Sequence, residues 1–320
     1  RADIIFNALD TSEANFKDTI ALQIAVDLYK INSVSLDNGI LDGSGGVRAH
    51  AVDSIAKGTR EYLDANKYAI PKKGEIHVII ASASGGTGNM IATELLSNFV
   101  AKEIPVICIF IGDSSNAKYA ENTRKTLLTV NNISQKSERA TTIRYLINDY
   151  TRFKNVQEAI AHNNSEIVIL LDFLSIFNGD VKDLDFQDLI NLINPKVKDF
   201  SITKGIYSLI SKVGASSSEN LANNLLPIIS RTIVQNFEEY APLSIMHSKI
   251  GTIENEELKD NVQATYEDAN LTLTLAAGGL QEEIDRLLEI ESKIKNSLEE
   301  TKNLLSISSK EIAEDNGTVL

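Results

Sequence analysis

Residues 78–90 read Val78-Ile79-Ile80-Ala81-Ser82-Ala83-Ser84-Gly85-Gly86-Thr87-Gly88-Asn89-Met90. They consist of a short apolar run, a cluster of glycines and the start of an amphipathic segment. Glycines let backbone N–H groups approach an anion closely, and the first turn of a helix adds unpaired N–H groups and the positive end of its dipole. The pattern predicts a strand, a phosphate-binding loop and a helix, with a plain tight turn as the alternative. The spacing matches neither a Walker loop nor the dinucleotide fingerprint G-x-G-x-x-G.

Short apolar runs alternate with longer amphipathic runs on both sides of this loop, which is typical of a parallel sheet covered by helices. Strands are predicted at residues 4–9, 75–81, 105–111 and 142–147. Helices are predicted at residues 47–65, 89–101 and 117–130, because apolar side chains recur there at helical spacing. The first half of the chain is therefore predicted to be an α/β domain of nucleotide-binding type.

A second glycine cluster directly precedes the first predicted helix and reads Asp42-Gly43-Ser44-Gly45-Gly46-Val47-Arg48. Two such loops in one α/β domain can close on a single polyphosphate. The guanidinium of Arg48 can pair with phosphate oxygens, and a surface salt bridge is the alternative role for it.

The middle of the chain carries an apolar segment followed by an acidic one. Residues 165–177 are apolar almost all round, which predicts an enclosed helix that ends at Asn178-Gly179, although the β-branched residues also allow a strand. Residues 178–188 contain four carboxylates. They form either a solvated turn with a helix cap at Asp185 or a site for a cation or an activated water, and spacing alone favours the cap.

The remainder of the chain predicts a second, smaller α+β domain and a long final helix. Strands are predicted at residues 199–203, 243–249 and 270–276. From Leu280 onwards, apolar residues recur on alternating four- and three-residue steps, which predicts an amphipathic helix that packs either on its own domain or on a neighbouring subunit. The polar, acidic tail at residues 306–320 is predicted to fray.

Composition excludes several classes of protein. The 320 residues, of which 43% are apolar, can bury a sizeable core, so a disordered or fibrous protein is excluded. The formal net charge of −13 and the lack of a basic run argue against direct nucleic-acid binding. No apolar stretch approaches the ~20 residues of a membrane span. The single cysteine, Cys108, lies in an apolar run, which indicates a buried thiol and fits a reducing cytoplasm.

Taken in order, the motifs resemble those of the tubulin/FtsZ superfamily, and most closely those of the divergent phage and plasmid tubulins, the PhuZ and TubZ group. The run Ser84-Gly85-Gly86-Thr87-Gly88-Asn89 resembles the tubulin signature GGGTGSG, with Ser84 for its first glycine and Asn89-Met90 for its last Ser-Gly. Phe6-Asn7-Ala8-Leu9-Asp10-Thr11-Ser12 is similar to the family strand that ends in Asn-Thr-Asp or Asn-Thr-Ser, and Leu184-Asp185-Phe186-Gln187-Asp188 is similar to Val-Asp-Phe-Ala-Asp of the catalytic loop.

The resemblance implies a role for each matching residue. It places the α- and β-phosphates of GTP or GDP on the signature loop, with Ser84, Gly85, Gly86, Thr87, Gly88 and Asn89. It places the γ-phosphate near the second cluster, with Gly43, Gly45, Gly46 and Arg48. Thr11 and Ser12 would contact phosphate or Mg²⁺, whose ligands are otherwise unknown. Asn163, or Asn164 beside it, would read the guanine edge, and Asp185 and Asp188 would polarise the attacking water.

The resemblance also implies the fold, the domains and the activity. The fold class is α/β, with a Rossmann-like GTPase domain at residues 1–162, a central helix at 163–178, the catalytic loop and second domain at 179–279, and a C-terminal helix and acidic tail at 280–320. The central helix is about 20 Å long at 1.5 Å per residue, so it separates Asn163 from Asp185. Hydrolysis is therefore expected in trans, between head-to-tail subunits of a filament.

The implied partners follow from that activity. They are further copies of the chain, contacted by the C-terminal helix, and a DNA-bound adaptor. The implied role is to position or segregate phage or plasmid DNA in the bacterial cytoplasm. The family's first strand, first phosphate loop and following helix would precede Ile4, and the start at Arg1 predicts that the translated start lies upstream.

Two competing interpretations stay open. One is a non-polymerising nucleotide-binding enzyme of Rossmann type, which the absence of G-x-G-x-x-G disfavours. The other is a filament protein whose GTPase activity has lapsed. A metal hydrolase is disfavoured, because no two of the four histidines form an H-x-x-x-H pair.

Overall fold

The structure is a computed structural model that describes residues 7–10, 32–35, 52–66, 75–148, 153–176, 186–200, 204–215, 230–234, 237–241, 269–277 and 280–315. The strands are β1 Asn7–Asp10, β2 Asn32–Ser35, β3 His77–Ser82, β4 Val106–Asp113, β5 Thr141–Asn148, β6 Ile206–Ala215, β7 Ser230–Val234, β8 Phe237–Ala241 and β9 Ala269–Ala277. The helices are α1 Val52–Ala65, α2 Gly88–Ala101, α3 Ala117–Ser134, α4 Val156–Ile176, α5 Phe186–Ile193, α6 Val197–Phe200 and α7 Gln281–Asp315.

The main sheet has the strand order β3-β4-β5-β6-β9, in which the first four strands are parallel and β9 is antiparallel to β6. Strands β1 and β2 form a parallel pair, and β7 and β8 form an antiparallel pair. Strand β4 lies between β3 and β5, and its run from Val106 to Phe110 is buried throughout. A parallel strand with helices on both faces needs apolar side chains on both sides, which explains this uninterrupted run.

The core lies between the sheet and helices α1, α2, α3 and the first turns of α7. Its largest fully buried members include Phe110 and Leu127. Leu280, Ile284 and Leu287 bring α7 into the same cluster. The predicted α/β class, the parallel sheet and the long C-terminal helix are all confirmed.

Most predicted elements of the first half are present with small shifts in their bounds. The central helix is confirmed over the alternative of a strand, but it begins at Val156 rather than at residue 165. Asn155 caps it, because its Oδ1 accepts from the N–H of Glu158 at 2.8 Å, and Glu158 Oε2 accepts from the N–H of Lys154 at 2.9 Å. The predicted domain boundary at residue 163 thus falls inside a helix, and the division into domains stays a prediction.

Two predicted elements are wrong within the described residues. Residues 199 and 200 belong to the single turn of α6, and the strand of this region starts only after Gly205, whose φ of +151° suits glycine and marks the entry to β6. The tail does not fray at residue 306, because α7 continues to Asp315 through a sequence without glycine or proline. Residues 4–6 of the first predicted strand and the predicted strand at 243–249 lie outside the described residues.

The second half of the chain joins the sheet of the first half. Strand β6 pairs with β5 through Thr141 to Ile143, opposite Ile206 to Ser208, and β9 pairs along the full length of β6. The sequence predicted a second α+β domain at this position. Only the hairpin of β7 and β8 forms a sheet of its own beyond β5 among the described residues.

Candidate functional site

The predicted phosphate loop, residues 83–87, connects the carboxyl end of β3 with the amino end of α2. Thr87 is the N-cap residue of α2, with φ −84° and ψ −56°, and its side chain makes no capping hydrogen bond. The first turn of α2 carries no acidic residue. A helix N-terminus at the carboxyl edge of a parallel sheet favours negative charge through its backbone N–H groups and its dipole.

Three successive carbonyl groups of this loop are bonded to side chains behind it. Ala83 O accepts from Thr126 Oγ1 at 2.9 Å and from Asn89 Nδ2 at 3.2 Å. Ser84 O accepts from Asn122 Nδ2 at 2.9 Å, and Gly85 O accepts from Asn89 Nδ2 at 2.7 Å. Because C=O and N–H point in opposite directions across a trans peptide, the N–H groups that follow point away from α2 and α3.

The outward N–H groups fit an anionic ligand such as phosphate. The N–H of Ser84 donates to Ser82 Oγ at 3.3 Å. The N–H groups of Gly85 and Gly86 belong to the peptides whose carbonyls accept from Asn122 and Asn89, so these two N–H groups point outward. A Cβ at Gly85 or Gly88 would come no closer than 3.8 Å to Ser82. The chain itself therefore has room for side chains at both positions, and glycine there leaves the outer face of the loop bare, so that a ligand can reach the backbone.

Asn89 and Ser84 lie within the loop framework rather than on its outer face. Asn89 is fully buried, and its amide donates to two loop carbonyls. Ser84 Oγ lies 3.1 Å from Ser82 Oγ. Both residues shape the loop through these bonds.

A pair of asparagines lies at the same edge of the sheet. Asn163 of α4 is 3% exposed, and its Nδ2 donates to Oδ1 of Asn148, the last residue of β5, at 2.8 Å. Asn164 is exposed. Of the two asparagines proposed to read a guanine edge, Asn163 is thus the one that faces the sheet. The sequence patterns did not single out Asn148, because a strand end gives no motif.

Helix α4 runs from this edge toward the opposite one. Asn163 bonds to Asn148 at the end of β5, and three residues later Glu166 forms an ion pair with Arg144 in the middle of β5, at 2.6 Å. At the far edge, Thr142 Oγ1 and Asn194 Nδ2 make hydrogen bonds to Ile193 O and Ala140 O. The end of α5 is thereby attached to the start of β5, about 23 Å from the other end of that strand at ~3.3 Å per residue.

The other predicted site residues are Thr11, Ser12, Gly43, Gly45, Gly46, Arg48 and Asp185, and they lie outside the described residues. Asp188 lies in α5, and nothing is described of its side chain. Their roles stay predictions.

Helix α3 contributes residues that the sequence patterns did not reveal. Asn122, Thr123 and Thr126 are buried on its inner face. Thr123 Oγ1 donates to Asp113 O at 3.1 Å and accepts from the N–H of Asp113 at 3.2 Å. Polar residues that recur three and four positions apart on an otherwise amphipathic helix were the available signal, since buried polar side chains need hydrogen-bond partners, here the loop carbonyls, the backbone of Asp113 and, for Thr126, also Asn122 O.

Helix α7 docks on the outer side of α3. Its Glu291 is 6% exposed and forms an ion pair with Arg124, and Glu283 accepts from Tyr145 Oη at 2.9 Å and from Arg286 Nε at 2.7 Å. Residues 295–301 are exposed. The sequence left open whether this helix packs on its own domain, and its first three turns do so.

The described residues contain neither a membrane-spanning helix nor a cluster of metal ligands. None of their helices is long and apolar enough to cross a membrane. They contain no group of three histidine, cysteine or acidic side chains that could hold a metal ion. Burial raises the pKa of the Cys108 thiol far above its ordinary value, as expected for an inert core cysteine.

Solved structures with the same fold identify the architecture. The phage tubulin PhuZ bound to GDP superposes with a TM-score of 0.65 at 14% identity, over 94% of this chain and 93% of that chain. The chain has the tubulin fold. A protofilament of TubZ from bacteriophage PhiKZ matches with a TM-score of 0.60 at 16% identity, over 90% of this chain and 83% of that one.

More distant tubulin-fold proteins match as well. The GTPγS-bound protofilament of CetZ2 from Haloferax volcanii gives a TM-score of 0.54 at 16% identity, over 90% of each chain. No protein-family model and no curated protein matches the chain. The resemblance to the tubulin/FtsZ superfamily, and within it to the phage and plasmid tubulins, is confirmed at the level of the fold.

Proposed function

We propose that the protein is a GTPase of tubulin type that assembles with further copies of itself into filaments. The observation that supports this most directly is the arrangement of residues 83–87, whose carbonyls are held from behind while the following N–H groups face outward. The described neighbours of the same fold include GDP-bound and GTPγS-bound proteins and protofilaments.

The phosphate loop would bind the α- and β-phosphates through the backbone of Gly85, Gly86, Thr87 and Gly88. Backbone N–H groups and the dipole of α2 supply positive potential that needs no rearrangement when charge develops on the phosphates. Gly43, Gly45, Gly46 and Arg48 are proposed to approach the γ-phosphate. Mg²⁺, bound with the nucleotide near Thr11 and Ser12, would neutralise phosphate charge.

The guanine base is proposed to meet Asn163. The Asn163 Oδ1 can accept from the ring N–H or the amino group of guanine, and the Nδ2 hydrogen that Asn148 does not use can donate to the guanine carbonyl. The bond from Asn163 to Asn148 fixes the orientation of the Asn163 amide, which is what discrimination between bases requires.

Hydrolysis is proposed to occur between subunits. Helix α4 starts at the edge that carries the phosphate loop and runs toward the edge where α5 is attached, so α5, whose first residue follows Asp185 in the chain, lies toward the edge away from the nucleotide of its own chain. In a head-to-tail stack, Asp185 and Asp188 would orient the water that attacks the nucleotide of the adjacent copy. Such a heterologous contact does not close, and it therefore produces filaments.

The cellular role is proposed from the resemblance. The protein would work in the bacterial cytoplasm and position or segregate phage or plasmid DNA. With a net charge of −13, contact with DNA would pass through a DNA-bound adaptor. Co-sedimentation of assembled filaments with naked DNA at low salt should therefore be negative.

Light scattering with simultaneous phosphate release tests the proposal. Adding GTP and Mg²⁺ should produce a rise in scattering that decays as phosphate appears, and GDP should give a flat trace. Asp185→Ala should assemble with GTP and hydrolyse it at least 100-fold more slowly, because it lacks the water-orienting carboxylate. Assembly without phosphate release by the unmodified chain would instead indicate a filament protein with a lapsed GTPase. Nucleotide binding without assembly would favour a non-polymerising enzyme.

A further inference from the structure

Helix α3 contacts the phosphate loop on one side and the C-terminal helix on the other. Toward the loop, Asn122 and Thr126 donate to the carbonyls of Ser84 and Ala83. These two residues are one turn apart, so they form one face of the helix. The Ser84 carbonyl therefore depends on the position of α3, and the Ala83 carbonyl depends on it together with Asn89 of α2.

Toward α7, the contact is a buried ion pair. Arg124 Nε donates to Glu291 Oε2 at 3.0 Å, and Arg124 Nη2 lies 3.0 Å from the same oxygen. The side chains are 19% and 8% exposed, respectively. Glu291 also accepts from Lys295, which lies 3.8 Å from Glu121 of α3. Separating the two side chains would leave buried charges without their partners, which is costly. The ion pair therefore restricts the position of α7 relative to α3.

Arg124 is placed between the two residues that hold the loop. A helix with buried side chains on both sides moves as a unit, because close packing leaves little room for independent shifts. Asn122 loses its loop acceptor if α3 shifts, and an unpaired buried donor is costly, whereas the Thr126 hydroxyl can still donate to Asn122 O within the helix.

We propose that α3 couples the phosphate loop to the docking of α7. When the Arg124–Glu291 pair is intact, α3 holds the loop with its N–H groups outward, and when α7 undocks, the loop loses this arrangement. By linkage, an anion that occupies the loop also favours the docked helix. The coupling rests on the proposed function only for the identity of that anion.

Hydrogen exchange of the full chain without nucleotide tests the coupling. In Glu291→Gln, the hydrogen-bonded amides that flank the loop, those of Ala83, Met90 and Ile91, should exchange about tenfold faster than in the unmodified chain, and amides of β5 should not change. Glu289→Gln is the matched control, because Glu289 lies on the same helix, pairs with Lys293 at 3.8 Å and is mostly exposed. It should leave the loop unchanged. The proposal is overturned if amides 281–291 exchange faster in Glu291→Gln while the loop does not.

A reciprocal measurement covers the case in which Glu291→Gln fails to fold. Arg124→Lys keeps the charge but loses the second contact to the carboxylate, and it should accelerate loop exchange about threefold. In the unmodified chain, GTPγS should slow exchange of amides 281–291, and an acceleration or an unchanged rate with the loop protected would contradict the coupling. If GTPγS protects no amide in the loop, the proposed function fails, while the Glu291→Gln result still decides the coupling.

Discussion

Replacing Gly112 by alanine should destabilise the protein through a contact between β4 and the ring of Tyr145. A Cβ at this position would lie against the Tyr145 hydroxyl and within 2.9 Å of both Thr123 Cγ2 and Tyr145 Cε2. The neighbours are packed core atoms, so the Tyr145 ring must move. Overpacking of this kind costs about 1–3 kcal/mol.

The movement also breaks a hydrogen bond. Tyr145 Oη donates to Glu283 at 2.9 Å, and a bond to a charged group contributes about 1.5–3 kcal/mol. Because the two effects share one displaced ring, they are not fully additive, and we expect a total loss of about 3 kcal/mol in the free energy of unfolding. At ~2.1 cal/mol/K per residue, this corresponds to a fall in Tm of about 4 °C for the 320-residue chain.

Urea titrations followed by circular dichroism would measure the loss in a double-mutant cycle. Tyr145→Phe should cost about 1.5 kcal/mol by itself. Combined with Gly112→Ala it should recover part of the loss, because removing the hydroxyl also removes the atom nearest to the new Cβ. Gly58→Ala is the matched control, since alanine in α1 should raise stability by about 1 kcal/mol. A Gly112→Ala loss below 0.5 kcal/mol, or strictly additive single changes, would refute the reasoning.

Three further predictions concern other parts of the fold. Thr126→Val removes the hydroxyl that donates to Ala83 O at constant volume and should weaken GTPγS binding about tenfold in a fluorescence titration. Thr126→Ser keeps that donor and should bind GTPγS as tightly as the unmodified chain; equal affinities of the two variants would contradict this. Cys108 should react with a thiol reagent at pH 8 only as fast as the protein unfolds, since burial raises the pKa of its thiol; fast labelling of the native chain would disprove this. A hydrogen bond from Lys125 lowers the pKa of Glu121 below its usual 4.5, so this pair stabilises the fold above about pH 4.5 and stops doing so as the pH falls through the lowered value. In Glu121→Gln, the free energy of unfolding should therefore fall less steeply with decreasing pH below about pH 4.5, and an identical pH dependence would contradict this prediction.

The elements that could be predicted from the sequence are those whose signal is local. Residues 83–87 contain the glycines that form the loop, and the run of β4 is apolar throughout. Both elements were predicted to within a residue or two of their observed bounds. The start of α4 was misplaced because the apolar pattern begins late, whereas the helix is started by the polar cap at Asn155.

The parts that could not be predicted depend on partners far away in the chain. Asn122 supports the loop from 38 residues downstream, and Asn163 meets Asn148 from another element. Such bonds depend on how the strands and helices are placed relative to one another, which a local sequence pattern does not determine. The same holds for β6, which joins the main sheet through three residues of β5 and which the sequence assigned to a second domain.

The length of α7 gives its docking a mechanical consequence. The helix has 35 residues and spans about 52 Å at 1.5 Å per residue. The buried anchor at Glu291 leaves 24 residues to Asp315, or about 36 Å of helix, and only the first turn of this part carries a further ion pair with α3 among the described residues, from Lys295 to Glu121. If this part rotates as a rigid lever, a tilt of about 5° at the anchor displaces the end of the helix by roughly 3 Å. A tilt too small to disturb the core therefore moves the end of the helix by about the length of a hydrogen bond.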